Sequence, residues 1–251
     1  ELDLAPGATD YGTLIHSILN QFAKNFSPSR GAPLPENAED FLIELGRKNF
    51  STVKYFPSVW AFWWPRFLSI ARWFINQENI SRPEIIDIKS EVNGAIVLEG
   101  RIGPFTLTAV ADRIDRFEDQ RLRIIDYKTG APPTQKEINA GFSPQLPLEA
   151  AIAERGGFQS IIGTNKIAEL SYWRLKGGNP AGEIVKLGIE LEKLASDAYE
   201  GLAQLIKVFD NKATPYEASP RSEHAPIYSD YEHLARVKEW IVMGSSPKSE
   251  G

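Results

Sequence analysis

Three side chains between Phe105 and Gly130 have the types and spacing for phosphate chemistry: Asp112, Asp126 and Lys128. The stretch reads FTLTAVADRIDRFEDQRLRIIDYKTG, two β-rich segments, Phe105 to Phe117 and Arg121 to Tyr127, flanking the polar turn Glu118-Asp119-Gln120. Such a pattern predicts an antiparallel hairpin. Each segment carries an acid where a sheet normally places packing residues, and Lys128 stands two residues past Asp126, hence on the same face of the strand. Two carboxylates about 4 Å apart repel by ~1 to 4 kcal/mol, so one takes up a proton or the two share a cation. Magnesium suits that role, because it takes oxygen ligands and commonly relies on one or two carboxylates plus substrate phosphate. An ammonium beside it can hold the attacking water or neutralise charge developing on a pentacovalent phosphate. Asp-x-Lys alone is most often a solvated pair on a strand; the second acid turns it into a candidate hydrolytic site.

Ala111-Asp112-Arg113-Ile114-Asp115 and Ile124-Ile125-Asp126-Tyr127-Lys128-Thr129-Gly130 resemble the motifs of the PD-(D/E)xK nuclease superfamily, in its RecB-like branch. Gly12-Thr13-Leu14-Ile15-His16 is similar to the GxxxH motif at the head of such domains, and Gln145 matches the first position of their QxxxY motif, whose Tyr position here is Glu149. The resemblance implies an α/β (α+β) fold of the restriction-endonuclease type, with an αβββαβ core, a mixed sheet and helical additions at both ends. It also implies Mg²⁺, or Mn²⁺ in its place, held by His16, Asp112, Asp126 and the carbonyl of Tyr127. Lys128 would activate water and Gln145 orient it or the phosphate. Glu91 and Glu99 compete for a further acid position near the metal, and Glu149 is left between DNA contact, an ion pair and no role. Asp115, three residues after Asp112, is expected on the opposite face in a hydrogen-bond or ion-pair role, with Arg113 also turned away from the metal.

The head, the DYKTG core and the tail together look like the C-terminal nuclease region of an AddB-type double-strand break repair subunit. That likeness implies a DNA nuclease in a helicase–nuclease complex, beside an AddA-type partner that feeds it a single-stranded DNA end. The alternatives are a catalytically silent nuclease-fold DNA-binding or scaffold domain, and an unrelated acidic α+β domain whose strand acids are ion-paired.

Composition bounds these readings. The 251 residues suit one domain, divided as a helical head (1–82), a catalytic sheet core (83–190) and C-terminal helices with a tail (191–251). The chain starts at Glu1 rather than Met, so a fragment of a longer polypeptide or a processed chain is expected. With no cysteine, disulfides, thiolate zinc sites and iron–sulfur clusters within this chain are excluded. No apolar run approaches a membrane span, and a cytoplasmic protein with no membrane partner is expected. The net charge of −5 gives no global attraction to nucleic acid, so binding must come from a local patch, a metal or a partner.

The remaining elements must position these residues. Thr9 or Asp10 should cap a first helix running through Phe26, with His16 on the polar flank of its apolar stripe. A second helix follows Asn37. The aromatic stretch Pro57 to Gln77 reads as a helix kinked or divided at Pro65, whose rings pack rather than form a stacking platform for bases. Strands begin after Pro83, and Asn93-Gly94 is either a tight turn or a bulge. The segment Ala131 to Phe142 reads as a loop, followed by a helix with Ser143 as N-cap and Pro144 in its first turn. A strand from Glu169 to Leu175 should lie parallel to the Asp126 strand, followed by a short strand near Ile184 and a helix beginning near Leu191. Ser229 and Glu232 predict the start of a terminal helix bearing Leu234, Val237 and Trp240, while His224 and His233 read as surface residues.

Overall fold

A computed structural model describes residues 5–27, 32–51, 53–161, 166–188 and 190–216. The terminal helix and the two tail histidines lie outside them.

Helix α1 (Ala8–Asn25) starts earlier than expected, with Gly7 as N-cap and the Asp10 carboxylate accepting the Gly7 N–H at 2.7 Å. Its stripe Ile15, Ile18, Leu19 and Phe22 is buried against α2 (Ala38–Asn49) and α3 (Pro57–Ser81). Pro65 does not divide α3, which is one helix of 25 residues. The proline sits on an exposed turn, and the buried residues Phe67, Ile70 and Phe74 anchor the helix beyond it.

The sheet has the order β1-β2-β3-β4-β5, built from Ile85–Glu99, Pro104–Phe117, Leu122–Lys128, Ile167–Leu175 and Gly182–Lys186. It is mixed: β1, β2 and β3 are antiparallel neighbours, β4 runs parallel to β3, and β5 is antiparallel to β4. Between β3 and β4 lie α4 (Gln135–Asn139) and α5 (Gln145–Glu154), the crossover a parallel pair requires. The expected loop therefore contains a helical turn, which Thr134 and Glu137 start as a reciprocal capping box. Helix α5 begins one residue later than expected, with Pro144 as its N-cap. The last described helix is α6 (Leu191–Phe209).

The sheet separates two cores by its period of two. Ile125, Tyr127 and Trp173 face α1 and α3, whereas Leu122, Ile124, Leu170 and Tyr172 face α5 and α6. Helix α5 is apolar nearly all round, as a fully buried helix must be.

Asn93-Gly94 is neither a turn nor a bulge. Both residues lie in regular register within β1, opposite Val110 and Ala109. Gly94 is needed because a Cβ there would lie 2.4 Å from the Phe158 ring. The register shifts instead between Ile85 and Asp87, and the backbone departs from strand geometry at Glu91, whose φ of 48° is left-handed. On one side of it Ile88 and Ser90 look toward α1, with Ser90 Oγ 2.7 Å from Asn20 Oδ1. On the other side Val92, Ile96 and Leu98 join the core under α5. The long hairpin thus turns over at Glu91, and the register places Asp112 opposite that residue, between the pairs Ser90–Arg113 and Val92–Ala111.

Candidate active site

Strands β2 and β3 pair from Arg116–Leu122 to Arg113–Ile125, and the next step of that register would set Asp112 against Asp126. There the ladder opens. Tyr127 N–H, instead of bonding to the β2 backbone, donates to Asp112 Oδ2 at 2.8 Å. The fork between the two strands is therefore held by a side chain, which leaves two carboxylates at its mouth.

Around that fork the sequence-predicted residues converge. His16, reaching from α1, places Nδ1 3.2 Å from Asp112 Oδ1. Burial opposes protonation of this imidazole, but the hydrogen bond and charge of Asp112, with Asp126 and the Tyr127 backbone, outweigh it and raise the pKa. Asp126 is 1% exposed. Lys128 Nζ stands 3.0 Å from its Oδ1 and 2.8 Å from Oδ2, and only the Oδ1 contact has hydrogen-bond geometry, so Oδ2 is buried without a hydrogen bond. Burial pushes the Asp126 carboxyl up to about 6 despite the ammonium beside it, with Asp112 adding to the rise.

From Lys128 the contacts continue onto α5. Lys128 Nζ donates to Gln145 Oε1 at 3.2 Å, and Gln145 Nε2 donates to Glu149 Oε1 at 3.2 Å, one helical turn along the same face. Glu149 is thus neither exposed nor ion-paired. It is 2% exposed, its Oε2 lacks a hydrogen bond, and burial together with Asp126 pushes its carboxyl up to about 8.

The two other acids weighed from sequence take no part in these contacts. Glu91 is exposed on the edge strand, and its backbone contributes the turnover. Glu99 pairs with Pro104 at the hairpin tip, eight positions along β2 from Asp112, or roughly 26 Å at strand rise.

Sequence reasoning missed Tyr172 and Glu78. Tyr172 is the register partner of Asp126 on β4; its ring centroid lies 5.9 Å from Lys128 Nζ, and its hydroxyl is buried without a hydrogen bond. The parallel register, once counted, would have found it. Glu78, near the end of α3, belongs to a second buried charge group on the opposite face of the hairpin. There Arg113 Nε donates to Asp115 Oδ1 at 2.6 Å, Arg123 Nε and Nη2 reach Asp115 Oδ2 at 2.9 and 2.6 Å, Arg113 Nη1 pairs with Glu78, and Arg82 Nε donates to Glu78 Oε2 at 3.1 Å. Asp115 thus takes the ion-pair role expected of it, and both it and Arg113 lie on the buried face away from the fork.

No three His, Asp or Glu side chains among the described residues already surround a common point. The Asp112 oxygens are engaged by His16 and the Tyr127 N–H, and Asp126 by Lys128. The donor set nevertheless fits a hard divalent cation: facing carboxylates, an imidazole, and two buried carboxylate oxygens, Asp126 Oδ2 and Glu149 Oε2, without hydrogen bonds.

Residues 2–230 match the family model of the PD-(D/E)XK nuclease superfamily. The chain belongs to that superfamily. Its relatives include an uncharacterized protein of Rickettsia bellii, 24% identical over 91% of this chain and 28% of that one. Another, from Rickettsia conorii, is 30% identical over 61% of this chain and 18% of that one. The chain spans less than a third of the length of the curated relatives it matches. A solved structure described as the crystal structure of SSO0001 is similar over 82% of this chain and 88% of that one, at 10% identity and a TM-score of 0.31, too distant to bear on function. The mixed sheet with flanking helices is the restriction-endonuclease-like arrangement of this superfamily, and its members are usually metal-dependent nucleases. Among the described residues, no helix is long and apolar enough to cross a membrane.

Proposed function

We propose that this domain is a metal-dependent deoxyribonuclease, acting as an exonuclease on the phosphodiester bonds of broken DNA ends. The observation that carries the reading is the fork at Asp112 and Asp126, where two strands part and leave facing acids with a lysine on one of them. Asp112, Asp126, His16 and the Tyr127 carbonyl would hold Mg²⁺ or Mn²⁺. Bound there, the cation would supply Lewis acidity toward the attacking water and charge neutralisation for the phosphate.

The chain's own groups account for the rest. Lys128, partly exposed and tied to both Asp126 and Gln145, presents its ammonium where charge develops on the phosphate and positions the water. Gln145 fixes Lys128 through its carbonyl oxygen, while its amide group is held by Glu149. This second link orients the amide, so Glu149 acts through Gln145 rather than on substrate.

The likeness to AddB-type subunits supports a place in a helicase–nuclease that processes double-strand breaks for recombinational repair, with an AddA-type partner delivering a DNA end. Cleavage of end-labelled DNA by the pure chain, with Mg²⁺ and with chelator, tests the reading. Lys128→Ala should abolish Mg²⁺-dependent cleavage without loss of fold; unchanged cleavage by that variant would contradict the mechanism.

A further inference from the structure

We infer that the N-terminal half of α3, with the residues just before it, is a binding surface for single-stranded nucleic acid leading to the fork; the inference rests on the nuclease reading above and names its substrate class. The chain carries a net charge of −5, yet residues 51–77 contain no acid and three cations, Lys54, Arg66 and Arg72. Arg72 pairs with Glu39 at 3.6 Å. Lys54 and Arg66 have no carboxylate partner among the described residues and lie instead over rings: Lys54 Nζ is 5.6 Å from the Trp60 centroid and Arg66 Cζ 4.8 Å from that of Phe62. Trp60 itself stacks on Trp64 at 4.9 Å and 9°. Packing accounts for the other rings of this helix but not for Phe62, which is 63% exposed.

This surface adjoins the catalytic end of the sheet. Trp63 packs on Tyr11 at 5.0 Å. The next residue, Gly12, lies so close to Thr129 that a Cβ there would be 3.3 Å from its Oγ1, and Thr129 follows Lys128. Arg66 also touches the β4–β5 turn, where a Cβ on Gly177 would meet its own Cβ at 2.6 Å, and Arg174 in β4 donates to the Gly130 carbonyl at 3.1 Å. Two cations without a carboxylate partner among the described residues, Lys54 and Arg66, and the exposed Phe62 ring thus lie beside a path of contacts to the end of β3, where Arg174 is paired with Glu183 at 3.8 Å. Their chemistry fits a strand whose bases are unpaired: phosphates meet unpaired cations, and bases stack on rings without regard to sequence. A duplex keeps its base faces inside and offers the rings nothing.

The test is fluorescence anisotropy of a labelled oligothymidylate, and of a duplex of equal length, titrated with the full chain in chelator. The expected result is preference for the single strand, a loss of about tenfold in affinity for Phe62→Ala, and for Arg66→Ala a weaker affinity with the salt slope reduced by about one. Arg121→Ala, at the opposite end of β3, should bind as the parent does, and thermal unfolding should show all three variants folded. Equal binding of duplex and single strand, no binding by the parent, or undiminished binding by Phe62→Ala and Arg66→Ala would overturn the proposal. Undiminished binding with Mg²⁺-dependent cleavage intact removes this surface and leaves the nuclease; binding lost in both variants of a chain that never cuts keeps the surface and removes the nuclease.

Discussion

Two groups of buried charge lie back to back on the β2–β3 hairpin, and neighbouring residues supply them. Arg113, Asp115 and Arg123 point to the α3 side, where Glu78 and Arg82 complete a group in which every charge has an opposite partner. Asp112, Asp126 and Lys128 point into the fork, where Glu149 adds a third acid and the His16 imidazole meets Asp112. The same residue type responds oppositely in the two. Burial would raise both aspartates, but Arg113 and Arg123 overcome it at Asp115 and hold its carboxyl below the usual range, while Lys128 fails to do so at Asp126. The first group is ion-paired throughout, with only Arg113 Nη2 left without a hydrogen bond, and serves the fold. The second has acids in excess, a state that costs stability until a cation or proton supplies the missing charge.

Substitutions separate the two groups most sharply. Asp126→Asn should reduce metal-dependent cleavage by at least about a thousandfold while leaving thermal stability equal or higher, because it removes a buried charge whose burial Lys128 does not offset. Asp115→Ala should do the reverse: a loss of about 3–5 kcal/mol in urea unfolding from leaving Arg113 and Arg123 without their partner, with activity lost only as far as the fold is. Similar stability losses in both variants would erase the distinction.

Proton linkage gives the next effect. Asp126 at about 6 and Glu149 at about 8 both lie above their unfolded values, so the native state binds more protons than the unfolded one between these limits. The associated stability is fully present below about pH 4 and is lost as pH rises through 6 and 8. The raised His16 has the same sign. Asp115, depressed instead, contributes stability that is lost only in acid, as pH falls below its unfolded value. Thermal unfolding in chelator should therefore show a lower Tm at pH 8 than at pH 5, and Mg²⁺ should raise Tm more at pH 8. A Tm that rises from pH 5 to pH 8 in chelator would show that the fork group is already compensated.

Glu149→Gln should have the smallest effect. An amide can still bond to Gln145, so kcat should stay within about threefold, whereas the pH dependence of Tm near 8 should flatten. A large loss of kcat in this variant would place the Glu149 charge itself in the chemistry.

Much of the site was legible because it depends on short-range rules. The period of two put Lys128 on the face of Asp126 and turned Asp115 away; the helical repeat put His16 on the flank of α1, and the Ser143-Pro144 start put Gln145 at the head of α5. Long-range events were not legible. The left-handed backbone of Glu91 turns the hairpin over, yet nothing in a glutamate announces a positive φ. Asn93-Gly94 advertised a turn, but its glycine answers to the Phe158 ring across the core. Pro65 signalled a break that aromatic and aliphatic packing on either side of it overrides. The partnership of Glu78 with Arg113 joins residues 35 positions apart, and only the packed helix reveals it.

Titration calorimetry of the chain with Mn²⁺ at pH 7.5, beside its Asp126→Asn variant, tests the open fork most directly. Saturable binding at the site in the parent chain, with proton release, and its loss in the variant are the expected result. No bound ion in the parent chain, or equal binding in both, would contradict it.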